Sequence, residues 1–212
     1  MKTKIKFLLI AVIFSCAFGL SANAQGQFGL QFGYNNTKFK TKIGSTTTKS
    51  DPLNGFNVGL TYDYDFHKYV GLQTGVLYSL YHKKDELTVF GTTSTNKITY
   101  HYATIPVNVK GKYEFGNSGL SVFAFAGPDF IIGIAANSKT KIGNSPESSM
   151  NLYDDDYDFN RFDIALGLGA GVQYKSLRLK FGYDIGLLNL ADTDGDNKYK
   201  RNYFNISLGL LF

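Results

Sequence analysis

From Phe28 onward the sequence alternates, segment after segment, between an apolar or aromatic residue and a glycine or polar residue. A period of two places successive side chains on opposite faces of a β-strand. The clearest segment, residues 161–175, sets Phe162, Ile164, Leu166 and Leu168 against charged residues and glycines. The composition, with 23 Gly, 18 Phe and 15 Tyr, agrees, because aromatic residues suit pleated surfaces. No long segment carries a 3.6-residue apolar stripe, so the sequence predicts an all-β fold.

Eight such segments can be recognised, over residues 27–34, 56–65, 70–80, 104–115, 120–134, 161–175, 178–187 and 204–212. In the fifth, Phe123 and Phe125 lie on the opposite parity from Val122 and Ile132, so its faces cannot be assigned. The connections 37–54, 82–97, 135–160 and 191–202 are long and polar, whereas the other three are short turns. Long loops on one rim and short turns on the other are typical of outer-membrane barrels. We therefore expect an eight-stranded antiparallel up-and-down transmembrane β-barrel in a Gram-negative outer membrane, with both mature termini on the periplasmic side.

The polar face of the segments distinguishes this barrel from a soluble one. A lipocalin-like barrel also alternates, but it keeps its apolar residues inside. Glycine on a solvent-facing strand weakens a sheet, whereas in a narrow lumen it relieves crowding. The polar face therefore lines the lumen, where charges of both signs are expected to pair: Asp63, Lys110, Lys112, Arg161, Asp163, Arg178, Lys180 and Asp184.

The N-terminus has the form of a signal peptide. Lys2, Lys4 and Lys6 precede an apolar run, and Ala22, Asn23 and Ala24 supply a small-residue cleavage site. We expect residues 1–24 to be removed between Ala24 and Gln25, leaving residues 25–212 as the barrel domain. A lipoprotein signal ending at Cys16 is the alternative.

The charge of the mature chain excludes a nucleic-acid partner. Three of the 22 basic residues lie in the signal peptide, which leaves 19 basic against 17 acidic residues. A net charge of about +2 gives no electrostatic footprint for nucleic acid.

Several short motifs resemble the PorT-like outer-membrane β-barrel family of Bacteroidota. The matching pieces are the Ala24-Gln25 junction, Ile105-Pro106-Val107, Gly127-Pro128, the glycine-rich sixth segment and the final strand that ends on Phe212. The resemblance implies the fold and the outer-membrane location for the whole mature chain. It implies activity only broadly, since one namesake is associated with type IX protein secretion.

The last strand also resembles the signal that the barrel-assembly machinery reads during biogenesis. Apolar residues recur at every second position before the terminal aromatic residue, and an open strand edge can be captured by β-augmentation. The alternative is simply a lipid-facing strand. The residues are Phe204, Ile206, Leu208, Leu210 and Phe212.

Candidate catalytic groups are few. His82 and His101 are expected on the outward face near the outer rim, opposite each other if the hairpin turns near Gly91. A lipid hydrolase would also need a nucleophile and an orienting carboxylate, and the sequence places neither at a constrained spacing. No cofactor motif is present. The sequence therefore predicts a protein without enzymatic activity.

Two charged loops are candidate binding sites. Asp192, Asp194 and Asp196 flank Gly195 and offer hard oxygen ligands for calcium, although the spacing differs from an EF-hand; a solvated loop tip is the alternative. Lys38, Lys40, Lys42 and Lys49 could contact lipid phosphates, or simply keep their loop soluble.

The function predicted from the sequence is structural or interactive. An eight-stranded barrel is just wide enough to be filled by its own side chains, which argues against a general porin. We expect contacts with outer-membrane lipid, with the assembly machinery and with envelope proteins through the long outer loops. The two alternatives are a component of a type IX-like secretion machinery and an enzyme that modifies lipid at the outer rim.

Overall fold

A computed structural model describes residues 26–43, 46–143, 145–153, 160–190 and 198–212. The predicted signal peptide and cleavage site and the loop aspartates 192, 194 and 196 lie outside these ranges. Within the described ranges, no helix is long and apolar enough to span a membrane. The strands are β1 (Gly26–Ile43), β2 (Thr46–Lys49), β3 (Leu53–His67), β4 (Val70–Val89), β5 (Thr92–Glu114), β6 (Leu120–Ile142), β7 (Ser148–Asn151), β8 (Phe162–Tyr174), β9 (Leu177–Gly186) and β10 (Lys198–Leu211).

Eight of these strands form a closed antiparallel ring. Neighbours follow the order β10, β9, β8, β6, β5, β4, β3, β1, and β10 pairs with β1 to close it. The closing register runs from Gly29 opposite Leu211 to Lys42 opposite Lys198. The short strands β2 and β7 lie outside the ring and pair with the upper ends of β1 and β6. The predicted eight-stranded barrel is confirmed.

The two faces of the barrel wall are those that the alternation predicts. Along β1, Phe32 on the outer face is 57% exposed, whereas its neighbour Gln31 is 7% exposed and faces the lumen. The outward residues of β8 and β9, such as Leu166 and Phe181, are likewise exposed. The apolar outer surface suits lipid, where a closed barrel leaves no backbone group unpaired.

All four predicted long loops are wrong in part, because strands continue into them; β10 already begins at Lys198, inside the predicted loop 191–202. β1 extends to Ile43, β6 extends to Ile142, and β4 and β5 form one hairpin that is paired from Lys83 opposite Ile98 up to Val89 opposite Thr92. At its tip Phe90 and Gly91 have φ angles of 49° and 78°, as a two-residue type I′ turn requires. Backbone hydrogen bonding between the strands continues beyond the segments in which one face of a strand must be apolar. The hydrophobic alternation therefore ends before the strands do.

The faces of β6, which the sequence left open, follow from its pairing. Phe123 and Phe125 face the lumen and are buried, whereas Val122 and Ile132 point outward. Higher up, the register shifts between His101 and Tyr102, and the extra residue Ile134 forms a bulge. Above the bulge the parity of β6 is reversed.

The two proline motifs meet across β5 and β6. Pro106 is opposite Asp129, which places Ile105-Pro106-Val107 beside Gly127-Pro128. Pro106 cannot donate to a ladder. Its carbonyl instead accepts a hydrogen bond from Thr74 Oγ1 at 2.8 Å.

Candidate functional site

The half of the lumen nearer the short turns is occupied by an ion network around Asp63. Lys110 Nζ lies 2.6 Å from Asp63 Oδ2. Arg178 binds both carboxylate oxygens, and its Nη1 lies 3.2 Å from Oδ1. Gln73 Nε2 donates to Oδ1 at 3.0 Å, and Lys180 Nζ donates to Gln73 Oε1 at 3.1 Å. Of the charges that the sequence placed in the lumen, Asp63, Lys110 and Arg178 pair there as predicted. Lys112 pairs with Asp65, and Asp163 pairs with Arg201. The prediction is wrong for Arg161, which is exposed and donates to the carbonyl of Tyr153.

Two inward aromatic residues of β6 complete this network. The guanidinium of Arg178 lies 5.3 Å from the ring centroid of Phe123, and Lys180 Nζ lies 4.5 Å from that of Phe125. A cation over an aromatic face is attracted by the ring quadrupole, more strongly when both are desolvated. The two phenylalanines depart from the apolar alternation of β6 because their rings contact the lumen cations Arg178 and Lys180.

Carboxylates and amides fill the middle of the lumen. Tyr203 Oη donates to Asp129 Oδ2 at 3.1 Å, and Asn205 Nδ2 donates to Asp184 Oδ2 at 2.8 Å. The remaining cavity beside Asp129, Asp184 and Lys180 measures about 30 Å³. That is about the volume of one water molecule.

An aromatic cluster closes the half of the lumen nearer the long loops. Arg201 lies at its centre, with its guanidinium 4.1 Å from the ring centroid of Tyr102 and 5.7 Å from that of Tyr203. Arg201 Nη2 is 3.4 Å from Asp163 Oδ2. The residual cavity here is about 10 Å³. We call this group the aromatic plug; its members are Phe39, Tyr81, Tyr100, Tyr102, Tyr153, Tyr199, Arg201 and Tyr203.

The sequence did not identify the aromatic plug. All of its residues lie outside the eight alternating segments, and half of them lie in stretches interpreted as loops: Phe39, Tyr153, Tyr199 and Arg201. A signal was nevertheless present: Tyr100 and Tyr102 continue the inward parity of Lys110 along β5. Extending the parity of each strand beyond its apolar segment would have placed these rings in the lumen.

Paired and unpaired lysines differ at the rim that carries the long loops. On the wall formed by β4, β5 and β6, Lys84 Nζ lies 2.6 Å from Glu86, and Glu147 lies 3.1 Å from Lys139 and 3.9 Å from Lys97. The hydrogen bond from Lys139 lowers the pKa of the Glu147 carboxyl below its ordinary value. On the opposite wall, the described lysines of β1 and β10 have no such partner within the described ranges.

The two rim histidines do not face each other. His82 is opposite Thr99, and His101 is opposite Leu80, so the expected direct pairing is wrong by two residues. His82 Nδ1 lies 3.1 Å from Thr99 Oγ1, and His101 Nδ1 lies 2.5 Å from Tyr78 Oη. Both histidines point outward, as expected. Their partners are hydroxyl groups, which gives neither ring the orienting carboxylate of a catalytic triad.

The residues of the suggested assembly signal lie on the outer face of β10, at the seam of the ring. Leu208 is opposite Phe32 and Leu210 is opposite Leu30, and the backbone N–H of Phe212 donates to the carbonyl of Phe28 at 2.8 Å. This position fits a lipid-facing strand, and the assembly role stays a prediction. Among the described residues no group of three or more acidic, histidine or cysteine side chains could hold a metal ion.

Residues 22–192 match the model of the family described as "Outer membrane protein beta-barrel domain". No curated protein matches the sequence. Among solved structures, the attachment invasion locus protein Ail of Yersinia pestis has a TM-score of 0.44 at 17% identity, over 89% of this chain and 99% of its own. Neisserial surface protein A has a TM-score of 0.44 at 16% identity, over 87% and 97% of the two chains. OprG of Pseudomonas aeruginosa has a TM-score of 0.43 at 13% identity, over 88% and 96%.

Proposed function

Because the chain belongs to the outer-membrane protein β-barrel domain family, we propose that it is a closed, non-enzymatic barrel that serves as a contact platform for other envelope components. The strand extensions and loops beyond the aromatic plug face the outside of the cell. The short turns and both mature termini face the periplasm.

The aromatic plug is the observation that carries this proposal. Beside the aromatic plug and in the middle of the lumen, the cavities between described residues measure about 10 and 30 Å³, too small for a solute. Other envelope components can therefore contact only the outside of the barrel. The hairpin of β4 and β5 offers such a surface, because it rises well beyond the last β3 partner of β4, Asn54 opposite His82.

The outward histidines support a non-enzymatic role. Each is held by a hydroxyl group, at Thr99 and Tyr78, on a surface that faces lipid. An interfacial histidine of this kind anchors a strand at the membrane boundary.

We also propose that the chain belongs to the PorT-like group of Bacteroidota. The support is the contact of the two proline motifs across β5 and β6, since two motifs far apart in the sequence form one structural unit. The association of one namesake with type IX secretion would make the contact platform part of that machinery, and the genome neighbourhood would test this.

Conductance in planar bilayers tests the closed lumen. We expect the mature barrel to give no current steps, and the fourfold variant Tyr81→Ala, Tyr102→Ala, Phe123→Ala, Phe125→Ala to give them, because it removes buried rings from both the aromatic plug and the network around Asp63. The matched control Tyr81→Phe with Tyr102→Phe removes only hydroxyl groups and should stay silent. Steady current through the unaltered barrel would overturn the proposal.

Surface labelling tests the orientation. Cys16 is the only cysteine and lies in the predicted signal peptide, so one added cysteine gives an unambiguous label. Thr93→Cys at the hairpin tip should react with an impermeant maleimide on intact cells. Asn117→Cys in a short turn should react only after the outer membrane is permeabilised. The reverse result would invert the orientation.

A further inference from the structure

The outer face of the β1–β10 seam changes from apolar to basic over a few residues. Successive outward pairs are Tyr34 with Ile206, Asn36 with Phe204, Lys38 with Asn202, and Lys40 with Lys200. Polar contacts mark the boundary, since Tyr34 Oη donates to Asn54 Oδ1 at 2.6 Å and Asn202 Nδ2 donates to Tyr183 Oη at 3.2 Å. We call the described side chains above it, Lys38, Lys40, Lys42 and Lys200, the lysine patch.

The lysine patch differs from the opposite wall in its ion pairs. None of its four lysines lies within ion-pair distance of a carboxylate in the described part of the chain, whereas Lys83, Lys84, Lys97 and Lys139 on the opposite wall each have one. Among the described residues, the absence of acidic partners therefore distinguishes the seam from the opposite wall.

The strand register adds to the repulsion. Lys40 is directly opposite Lys200. Residues directly opposite in an antiparallel pair have Cβ atoms about 4.5–5.5 Å apart, and like charges there are destabilising. Such an arrangement is relieved by an anion that bridges two ammonium groups.

The position of the patch identifies the kind of anion. It continues upward from the exposed apolar rows of Leu30, Phe32 and Leu208, which face the acyl chains. A strand rises about 3.4 Å per residue, so Lys38 lies about 13 Å along β1 from Tyr34, within reach of lipid headgroups. A soluble anion would contact only the lysines. A lipid would contact the lysines with its headgroup and the apolar rows below them with its acyl chains.

We propose that the lysine patch binds the phosphate groups of an anionic lipid in the outer leaflet. Lys40 and Lys200 hold one phosphate between them, and Lys38 and Lys42 extend the contact along β1. The lipid's acyl chains pack on the apolar rows beneath. This inference rests on the proposed outward orientation of the long loops.

A fluorescent phosphatidic acid serves as the probe, because it presents a phosphate monoester on two acyl chains. The folded mature barrel is titrated with it in detergent micelles and binding is followed by anisotropy, with fluorescent phosphatidylcholine as the reference lipid. We expect the phosphatidic acid to bind more tightly. A basic residue near an anionic surface contributes about a fivefold change in affinity, so the variant Lys38→Gln, Lys40→Gln, Lys200→Gln should bind roughly a hundredfold more weakly.

The matched control is Lys84→Gln, Lys97→Gln, Lys139→Gln, which removes the same charge from the opposite wall. It should keep its affinity within about twofold, as expected for lysines that already have exposed partners. Both variants are first shown to be folded by their different gel migration before and after boiling.

Three outcomes would overturn the inference. Equal binding of the two lipids would remove the preference for a phosphate monoester, and equal losses in the two triple variants would show a general charge effect. Competition by inorganic phosphate as strong as that by the lipid would identify a soluble anion as the ligand. The labelling of Thr93→Cys on cells is independent of this titration, so failure of the orientation and failure of lipid binding can be told apart.

Discussion

Arg178 on β9 and Asp63 on β3 form a two-pronged ion pair across the lumen, although their strands are three positions apart in the ring. Both side chains are almost fully buried, and Lys110 joins the same carboxylate at 2.6 Å. One carboxylate thus neutralises cations from two other strands. The network connects β3, β5 and β9 through side chains, in addition to the backbone ladders.

Asp63→Asn tests this connection. The change leaves Lys110 and Arg178 buried without their shared counter-charge, and breaking a buried pair by removing one partner costs about 3–5 kcal/mol. We expect the free energy of unfolding, measured by urea titration in lipid vesicles, to fall by that amount. Asp51→Asn, which removes the exposed partner of Lys83, should cost less than about 1 kcal/mol. Equal effects would contradict a central role for Asp63.

The assignment of the two faces predicts different results for two substitutions in β8. Leu166 points toward lipid, so Leu166→Arg should cost about 2–4 kcal/mol. Gln173 Oε1 accepts a hydrogen bond from Arg178 Nη2 at 3.0 Å, so Gln173→Glu places its new charge beside a cation. We expect that change to be milder in the same unfolding titration. A larger loss for Gln173→Glu would mean that the faces are inverted.

Glycine is required where β6 approaches β5 closely. A Cβ atom at Gly127 would meet the carbonyl oxygen of Val107 and lie 2.8 Å from the Cα atom of Asn108. Because backbone atoms must move, Gly127→Ala should destabilise the barrel by about 1–3 kcal/mol. Gly111→Ala is the matched control on the outer face, where the nearest atom would be 4.0 Å away. A neutral Gly127→Ala would show that the two strands can separate without cost.

The aspartates of the last long loop remain a candidate calcium site from the sequence alone. If Asp192, Asp194 and Asp196 hold the ion, calcium should protect residues 191–197 from protease, and a chelator should remove the protection while the strands stay intact. Replacing all three by asparagine should abolish the calcium dependence. Equal cleavage of the unaltered protein with and without calcium would exclude the site.

The sequence predicted the barrel wherever one face of a strand meets lipid. Residues 161–175 and 178–187 were placed almost to the residue, because burial against lipid imposes a strict alternation on β8 and β9. The hairpin above His82 was missed, since the polar residues from Lys83 to Glu86 carry no alternation although their backbone is fully paired. Backbone hydrogen bonds between strands impose no pattern on the side chains, so the sequence does not reveal them.

For the lumen, the sequence predicted only which charged residues face inward. That Asp63 and Lys110 face inward follows from parity, but which cation meets which carboxylate depends on register and on the curvature of the ring. Arg178 and Asp63 are 115 residues apart in the sequence. The aromatic plug was missed for a different reason: Tyr81 and Tyr102 lie beyond the apolar segments of their strands, where the alternation had not been extended.

The seam between β1 and β10 has a kinetic consequence. It joins residues near Gly29 to residues near Leu211, so its contacts span almost the whole described chain, whereas most other ring pairs are formed by consecutive strands. Contacts between distant parts of a chain form slowly, because loop-closure entropy must be overcome before they stabilise anything. During insertion the chain therefore passes through a curved, open sheet with two bare edges, and the seam forms late. The lifetime of that open sheet sets how long its two edges stay exposed to pairing with other chains.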